Sequence, residues 1–252
     1  MALAALLLTA APLRCQEKAD NAPQETEAAV SYGFESAFYT KYVSRGLVIN
    51  DKPVFQQEAW VSWREWTLSV WGNMDMTDFG ERLGYGNERG HFTEFDFTLS
   101  YSKTLGTFTV GGGYIYYRFP RTGAPPTQEV FVEVGADVPL SPKLTVYYDF
   151  DEGDGIYAML SASREYRLSE RIALNLCASV AYASSNYNRF NLGRDVSSLS
   201  DATFTVSLPI KLSDKLTLTP SIMYSNVLNG SIAKQTPADS AWVAGLALSA
   251  SF

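Results

Sequence analysis

From Tyr32 onward the chain falls into runs of roughly ten residues in which apolar and polar positions alternate, the length a tilted strand needs to cross a hydrocarbon layer. Between Gln128 and Val138 one face carries Val130, Val132, Val134, Ala136 and Val138, and the other Glu129, Phe131, Glu133, Gly135 and Asp137. The same division sets Leu144, Val146, Tyr148 and Phe150 against Thr145, Tyr147, Asp149 and Asp151, and Phe95, Phe97, Leu99 and Tyr101 against Glu94, Asp96, Thr98 and Ser100. Later come Ile172, Leu174, Leu176, Ala178, Val180 and Tyr182, then Phe204, Val206, Leu208 and Ile210. A period of two is the signature of strands with one apolar face, and no helical period of comparable length competes with it.

The joins between these runs alternate between short and long. Arg64-Glu65, Lys103 to Gly106, Pro139 to Lys143, Arg167 to Arg171 and Leu212 to Lys215 are tight. Ser44 to Lys52, Asp75 to Gly90, Pro120 to Pro126, Asp151 to Gly155, Ser184 to Ser200 and Leu228 to Ser240 are longer and polar. Eleven joins make twelve strands, an even number that leaves both ends of the run on the short-turn side, as in bacterial outer-membrane barrels. The predicted fold is therefore all-β, an antiparallel transmembrane β-barrel with short periplasmic turns and longer extracellular loops. Three tight joins, Pro139-Leu-Ser-Pro-Lys143, Arg167-Leu-Ser-Glu-Arg171 and Lys211-Leu-Ser-Asp-Lys215, look like one hairpin turn used three times.

Aromatic residues predict where the membrane boundaries lie, because outward rings gather at lipid–water interfaces. Tyr32, Trp63, Trp66, Tyr101, Phe108, Tyr166 and Phe252 fall near the short turns, and Tyr42, Tyr116, Phe150, Tyr182, Tyr224 and Trp242 near the long loops. A soluble sandwich or lipocalin-like barrel would also alternate, but it explains neither the loop rhythm nor two girdles. The last run places Trp242, Ala244, Leu246, Leu248, Ala250 and Phe252 on one unbroken apolar face. It resembles the C-terminal strand that outer-membrane barrels present to the barrel-assembly machinery. It is expected to pair with the strand from Tyr32 to Val43, since an open sheet edge is untenable in lipid. Outer-membrane lipid and lipopolysaccharide are the expected neighbours of the wall.

Composition changes this picture little. With 46% hydrophobic residues among 252 and a mean hydropathy of -0.09, hydropathy alone points to a soluble protein, because alternation averages away in any window. The one continuous apolar run, Met1 to Ala11, is too short to span a bilayer and reads as the core of a signal peptide (1–15) without the basic residues that should precede it, as either a misassigned start codon or a truncated sequence would leave it, with cleavage between Ala11 and Gln16. Arg14 before Cys15 departs from a lipoprotein site. Segment 16–30 reads as a disordered periplasmic lead-in and 31–252 as the barrel. With Cys15 removed, Cys177 is a single thiol, which excludes a disulfide or thiolate metal site.

Catalytic and cofactor chemistry find little support. Twelve-stranded outer-membrane phospholipases use a Ser-His-Asn arrangement, and the single histidine, His91, lies in a loop without a Gly-x-Ser-x-Gly or His-Ser run. Asp151-Glu-Gly-Asp154 reads as a solvated acidic turn ahead of a weak Ca²⁺ loop. No enzyme activity and no cofactor are expected. The polar faces place Glu35, Glu58, Asp75, Glu94, Asp96, Glu129, Glu133, Asp137, Asp149 and Glu165 inside, with Lys41, Arg45, Arg167 and Lys211 as basic partners. Of these, Lys41, Arg45, Glu58, Glu94, Asp96, Glu129, Glu133 and Asp149 are the candidate pore-lining residues. Luminal charges either line a water-filled pore or neutralise one another in a plugged one. The carboxylate excess, in keeping with a net charge of -7, favours cations or neutral solutes and disfavours nucleic acid as a partner.

The most recognisable local sequence is Ser36-Ala-Phe-Tyr-Thr-Lys-Tyr42-Val43-Ser44-Arg45-Gly46, followed by Asn50-Asp51-Lys52-Pro53. A strand ending in Tyr-x-x-Arg-Gly, a short loop, a proline and a second strand resembles the opening of the TorF-like porin family. That resemblance implies a small Gram-negative outer-membrane barrel, with Arg45 at the pore mouth and Gly46 letting the chain turn. Pairing of Arg45 with loop or lumen carboxylates is the equal alternative. Acidic, Trp-rich second and third strands depart from the family pattern. The expected function is passive passage of small hydrophilic solutes; the rival is a plugged barrel whose loops serve adhesion or envelope structure.

Overall fold

A computed structural model describes residues 30–252 except 83, 85, 235 and 237; the expected signal segment and the lead-in up to Ala29 lie outside them. In chain order the elements are β1 (Val30–Tyr39), β2 (Tyr42–Ser44), β3 (Leu47–Asn50), β4 (Val54–Trp63), β5 (Trp66–Asp75), α1 (Phe79–Arg82), β6 (His91–Leu105), β7 (Phe108–Arg118), β8 (Thr127–Ala136), β9 (Lys143–Asp149), β10 (Gly155–Arg167), β11 (Ala173–Ala183), α2 (Ser185–Leu192), β12 (Ser198–Ser207), β13 (Ile210–Lys211), β14 (Leu216–Val227), α3 (Gly230–Ala233) and β15 (Ser240–Ser251).

All elements but β2, β3 and the helices belong to one antiparallel sheet that closes on itself as a twelve-stranded barrel. β13 continues β12 in the same register against β14, the ladder being interrupted at Pro209, which has no N–H to donate. Closure is the predicted one: β15 pairs with β1 from Gly33 opposite Ser251 to Tyr39 opposite Gly245, and with β14 on its other side. Phe252 and Tyr32 add a reciprocal pair of backbone bonds at 2.8 and 3.1 Å and stack at 5.5 Å between ring centroids. Among the described residues, no strand of the wall is left with an open edge.

Alternation decides what faces outward. Val132 and Trp242 are 63% and 62% exposed, in line with Leu160, Phe97 and Leu246, and together these side chains form a continuous apolar mantle. A mantle of this extent is stable against lipid and not against water. No helix among the described residues is long and apolar enough to cross a membrane. The girdle of rings near the short turns is present, with Trp66 edge-on to Tyr101 at 5.1 Å, and at the opposite end Tyr224 packs on Trp242 at 4.9 Å. Tyr42 corrects the expectation for the second girdle. It is buried inside the barrel, because the chain leaves the wall after Tyr39 and turns inward.

The repeated turn is realised twice. In Arg167–Arg171 and Lys211–Lys215 the leucine and serine N–H groups both donate to the carbonyl that opens the next strand, Ile172 and Leu216 respectively. Pro139–Lys143 differs: Leu140 and Ser141 take positive φ (71° and 35°), and Ala136 N–H donates to the Pro142 carbonyl. Leu140 and Ser141 keep their N–H groups; the difference lies in the backbone path, which Pro139 and Pro142 restrict by fixing their own φ and narrowing that of the residue before each.

Candidate functional site: the luminal hairpin and the cavity beneath it

Segment Ser44 to Lys52, expected as a simple loop, is instead the end of a small hairpin, β2 against β3, folded into the barrel as a separate two-stranded sheet. Apolar contacts hold it there. Tyr42 packs with Val54 and Trp71, and Leu47 joins Leu192 of α2, Val227 of β14 and Ile232 of α3 in an apolar cluster at the long-loop end. The tip needs its glycine: Gly46 has φ 83°, and a Cβ there would run into the Asp201 side chain on β12. Arg45, at φ 44°, precedes it.

This strained tip delivers Arg45 to the opposite wall. Its Nη1 and Nη2 donate to Glu129 Oε1 and Oε2 at 2.8 and 2.7 Å, a fork-to-fork pair in which both side chains are nearly inaccessible (8% and 1%). The guanidinium carbon lies 4.6, 4.7 and 5.7 Å from the ring centroids of Tyr147, Tyr157 and Tyr187. Tyr117 OH donates to Glu129 Oε2 at 2.8 Å, and Tyr157 OH to Asp201 at 3.1 and 3.2 Å. Burial pushes the Tyr187 phenol up to about 12, so it stays neutral beside the cation. On the near wall, Tyr42 OH donates to Glu94 Oε2 at 2.8 Å.

A cavity of about 450 Å³ lies under the hairpin, reaching from Ser44, Arg45 and Gly46 to Ser102, Ser141 and Ser163 at the short-turn end. Its wall mixes hydroxyls with Glu58, Asp96, Glu133 and Lys143, and Lys143 Nζ lies 3.3 Å from Glu133. Small inward residues on β10 and β11, Ser161, Ser163 and Cys177, leave the space open. Asp96 is 3% exposed, and no hydrogen-bond donor among the described residues reaches either of its oxygens.

The structure thus brings Arg45, Glu58, Asp96 and Glu133 to the cavity, with Glu129 and Glu94 buried beside it. Arg45 sits inside the lumen and not at its rim, since the hairpin carries it inward. Lys41 lies between β1 and β2, half-buried and away from the cavity lining. Asp149 is bound to the Thr127 hydroxyl (2.8 Å) and to the N–H groups of Asp151 and Gly153 (3.0 and 3.1 Å), where it holds the β9–β10 turn. Asp137, Glu165, Arg167 and Lys211 are exposed at the short-turn end. His91 is exposed at the start of β6. Sequence reasoning missed the tyrosine cage. Tyr147 is in phase with the inward Asp149, a signal that was legible; Tyr117 stands on β7, which carries no carboxylate, and Tyr187 lies in α2, within a stretch read as loop.

The architecture is an all-β, antiparallel, closed twelve-stranded barrel that matches the folds of outer-membrane porins. A NanC porin covers 87% of this chain and 98% of its own at 11% identity with a TM-score of 0.51. A KdgM porin in complex with disordered oligogalacturonate covers 88% and 99% at 12% identity with a TM-score of 0.53. At such identities the likeness is one of fold. No protein-family model and no curated protein matches the chain in sequence.

Proposed function

We propose that the protein is an outer-membrane, porin-like passive channel for small hydrophilic solutes, neutral or cationic. The observation that carries this reading is the hydroxyl- and carboxylate-lined cavity enclosed by a lipid-facing barrel. Among the described residues the cavity wall carries Glu58, Asp96 and Glu133 together with Arg45 and Lys143, a carboxylate-rich lining that favours cations over anions. The porin-type fold supports an outer-membrane location. Export by the N-terminal signal, assembly through the strand ending in Phe252, contact with lipid and lipopolysaccharide, and membership of the TorF-like family suggested by Tyr42 to Gly46 belong to the same proposal. Refolded protein in a planar lipid bilayer should give discrete conductance steps with K⁺ preferred to Cl⁻; a silent bilayer would overturn the channel reading.

One observation favours a second reading, a plugged barrel with an adhesive or structural role. The apolar cluster of Leu47, Leu192, Val227 and Ile232 closes the long-loop end above the hairpin. On that reading the intact protein is silent even when its long loops are trimmed, whereas a channel gains conductance.

A further inference from the structure

Arg45 sits in a setting shaped for its own head group. The carboxylate of Glu129 matches the guanidinium fork with two bonds of 2.8 and 2.7 Å, and two tyrosine rings lie within 4.7 Å of the guanidinium carbon. A planar, weakly hydrated, delocalised cation exploits both the fork and the flat faces; an ammonium is a hydrated point charge that exploits neither as well. The cage residues stand on β8, β9, β10 and α2, the first three of which are locked in the barrel ladder, and Tyr117 steadies Glu129 from β7. The occupant is held differently. Arg45 arrives on a hairpin of three paired positions that belongs to a separate sheet, and its tip, Ser44 to Gly46, borders the cavity beneath. Cage and occupant are therefore structurally separable, and a solute in the cavity lies next to both.

We propose that Glu129, Tyr147, Tyr157 and Tyr187 form a luminal binding site for guanidinium-type cations, filled in this closed state by Arg45 as a tethered occupant, and that a free guanidinium solute displaces Arg45 and loosens the hairpin tip. This deepens the channel reading by naming the solute class, and only its conductance consequence rests on that reading. A short tether presents its ligand at an effective concentration on the order of millimolar, so free solute competes at or above that range. Tyr42 and Leu47 remain as apolar anchors, which confines the release to the tip.

The binding arm uses full-length protein folded in detergent. Hydrogen–deuterium exchange of wild type should show at least twofold faster uptake in peptides covering residues 42–50 with about 50 mM methylguanidinium, well above the millimolar scale of the tether, than with equal methylammonium. By calorimetry, Arg45→Ala should bind methylguanidinium at least tenfold more tightly than wild type does, and adding Glu129→Gln should abolish the gain. Equal exchange with the two cations in wild type overturns the proposal, whether or not Arg45→Ala folds. So does equal affinity of folded Arg45→Ala and wild type for methylguanidinium. In the bilayer arm, methylguanidinium should raise wild-type conductance over methylammonium at matched ionic strength. Silence of every variant there overturns the channel reading and leaves the binding result standing.

Discussion

Two luminal acids show how differently the same side-chain chemistry is used in one barrel. Glu129 is saturated by the Arg45 fork and the Tyr117 hydroxyl, whereas both Asp96 oxygens lack a hydrogen-bond donor among the described residues. Removing the Glu129 charge would leave Arg45 buried without its counter-ion, so Glu129→Gln is expected to cost about 3–5 kcal/mol of folding stability, measured by urea unfolding in lipid vesicles. Asp96→Asn removes no bonded partner and should leave stability within about 1 kcal/mol. Alternation alone put both acids on the inner face. It could not tell them apart, because what distinguishes them is a partner 84 residues away in the chain.

Among the elements, the wall strands were the most legible. β8 has the predicted faces at every position, with Val130, Val132 and Val134 outward and Glu129 and Glu133 inward. Val132 lies mid-strand, between Gly112 and Val146 on its neighbours, so Val132→Arg should destabilise the folded barrel by about 2–4 kcal/mol, again by urea unfolding in vesicles. Gly245 on β15 lies under the ring of Tyr39, and a Cβ there would press into that ring. Gly245→Val is accordingly expected to cost about 1–3 kcal/mol at the closing seam and to lower the yield of heat-modifiable folded barrel on a cold gel. Joins were legible in length and less so in geometry. Leu-Ser at the centre of a tight turn produced one bonding pattern in two joins and another where prolines flank it, since a proline fixes its own φ and restricts the residue before it, which redirects the backbone.

At the scale of the whole molecule, barrel and hairpin divide the work. The barrel supplies a closed shell with an apolar outer face; the hairpin and the helices α2 and α3 pack together at its long-loop end, above the cavity. Replacing residues 42–50 by a short Gly-Ser link should therefore raise single-channel conductance severalfold over wild type, recorded in planar bilayers, while leaving the heat-modifiable gel shift of a folded barrel intact. The sequence by itself determined the strand number, the faces, the closing pair β1–β15 and the side of each join, because these follow from a period of two, from loop lengths and from the impossibility of an open edge in lipid. Only the tertiary structure decided that Tyr42 turns inward, that Arg45 reaches Glu129, and that α2 brings Tyr187 over the guanidinium. Those contacts join segments far apart in the chain within a space that exists only once the barrel has closed, and no local pattern of apolar and polar residues records them.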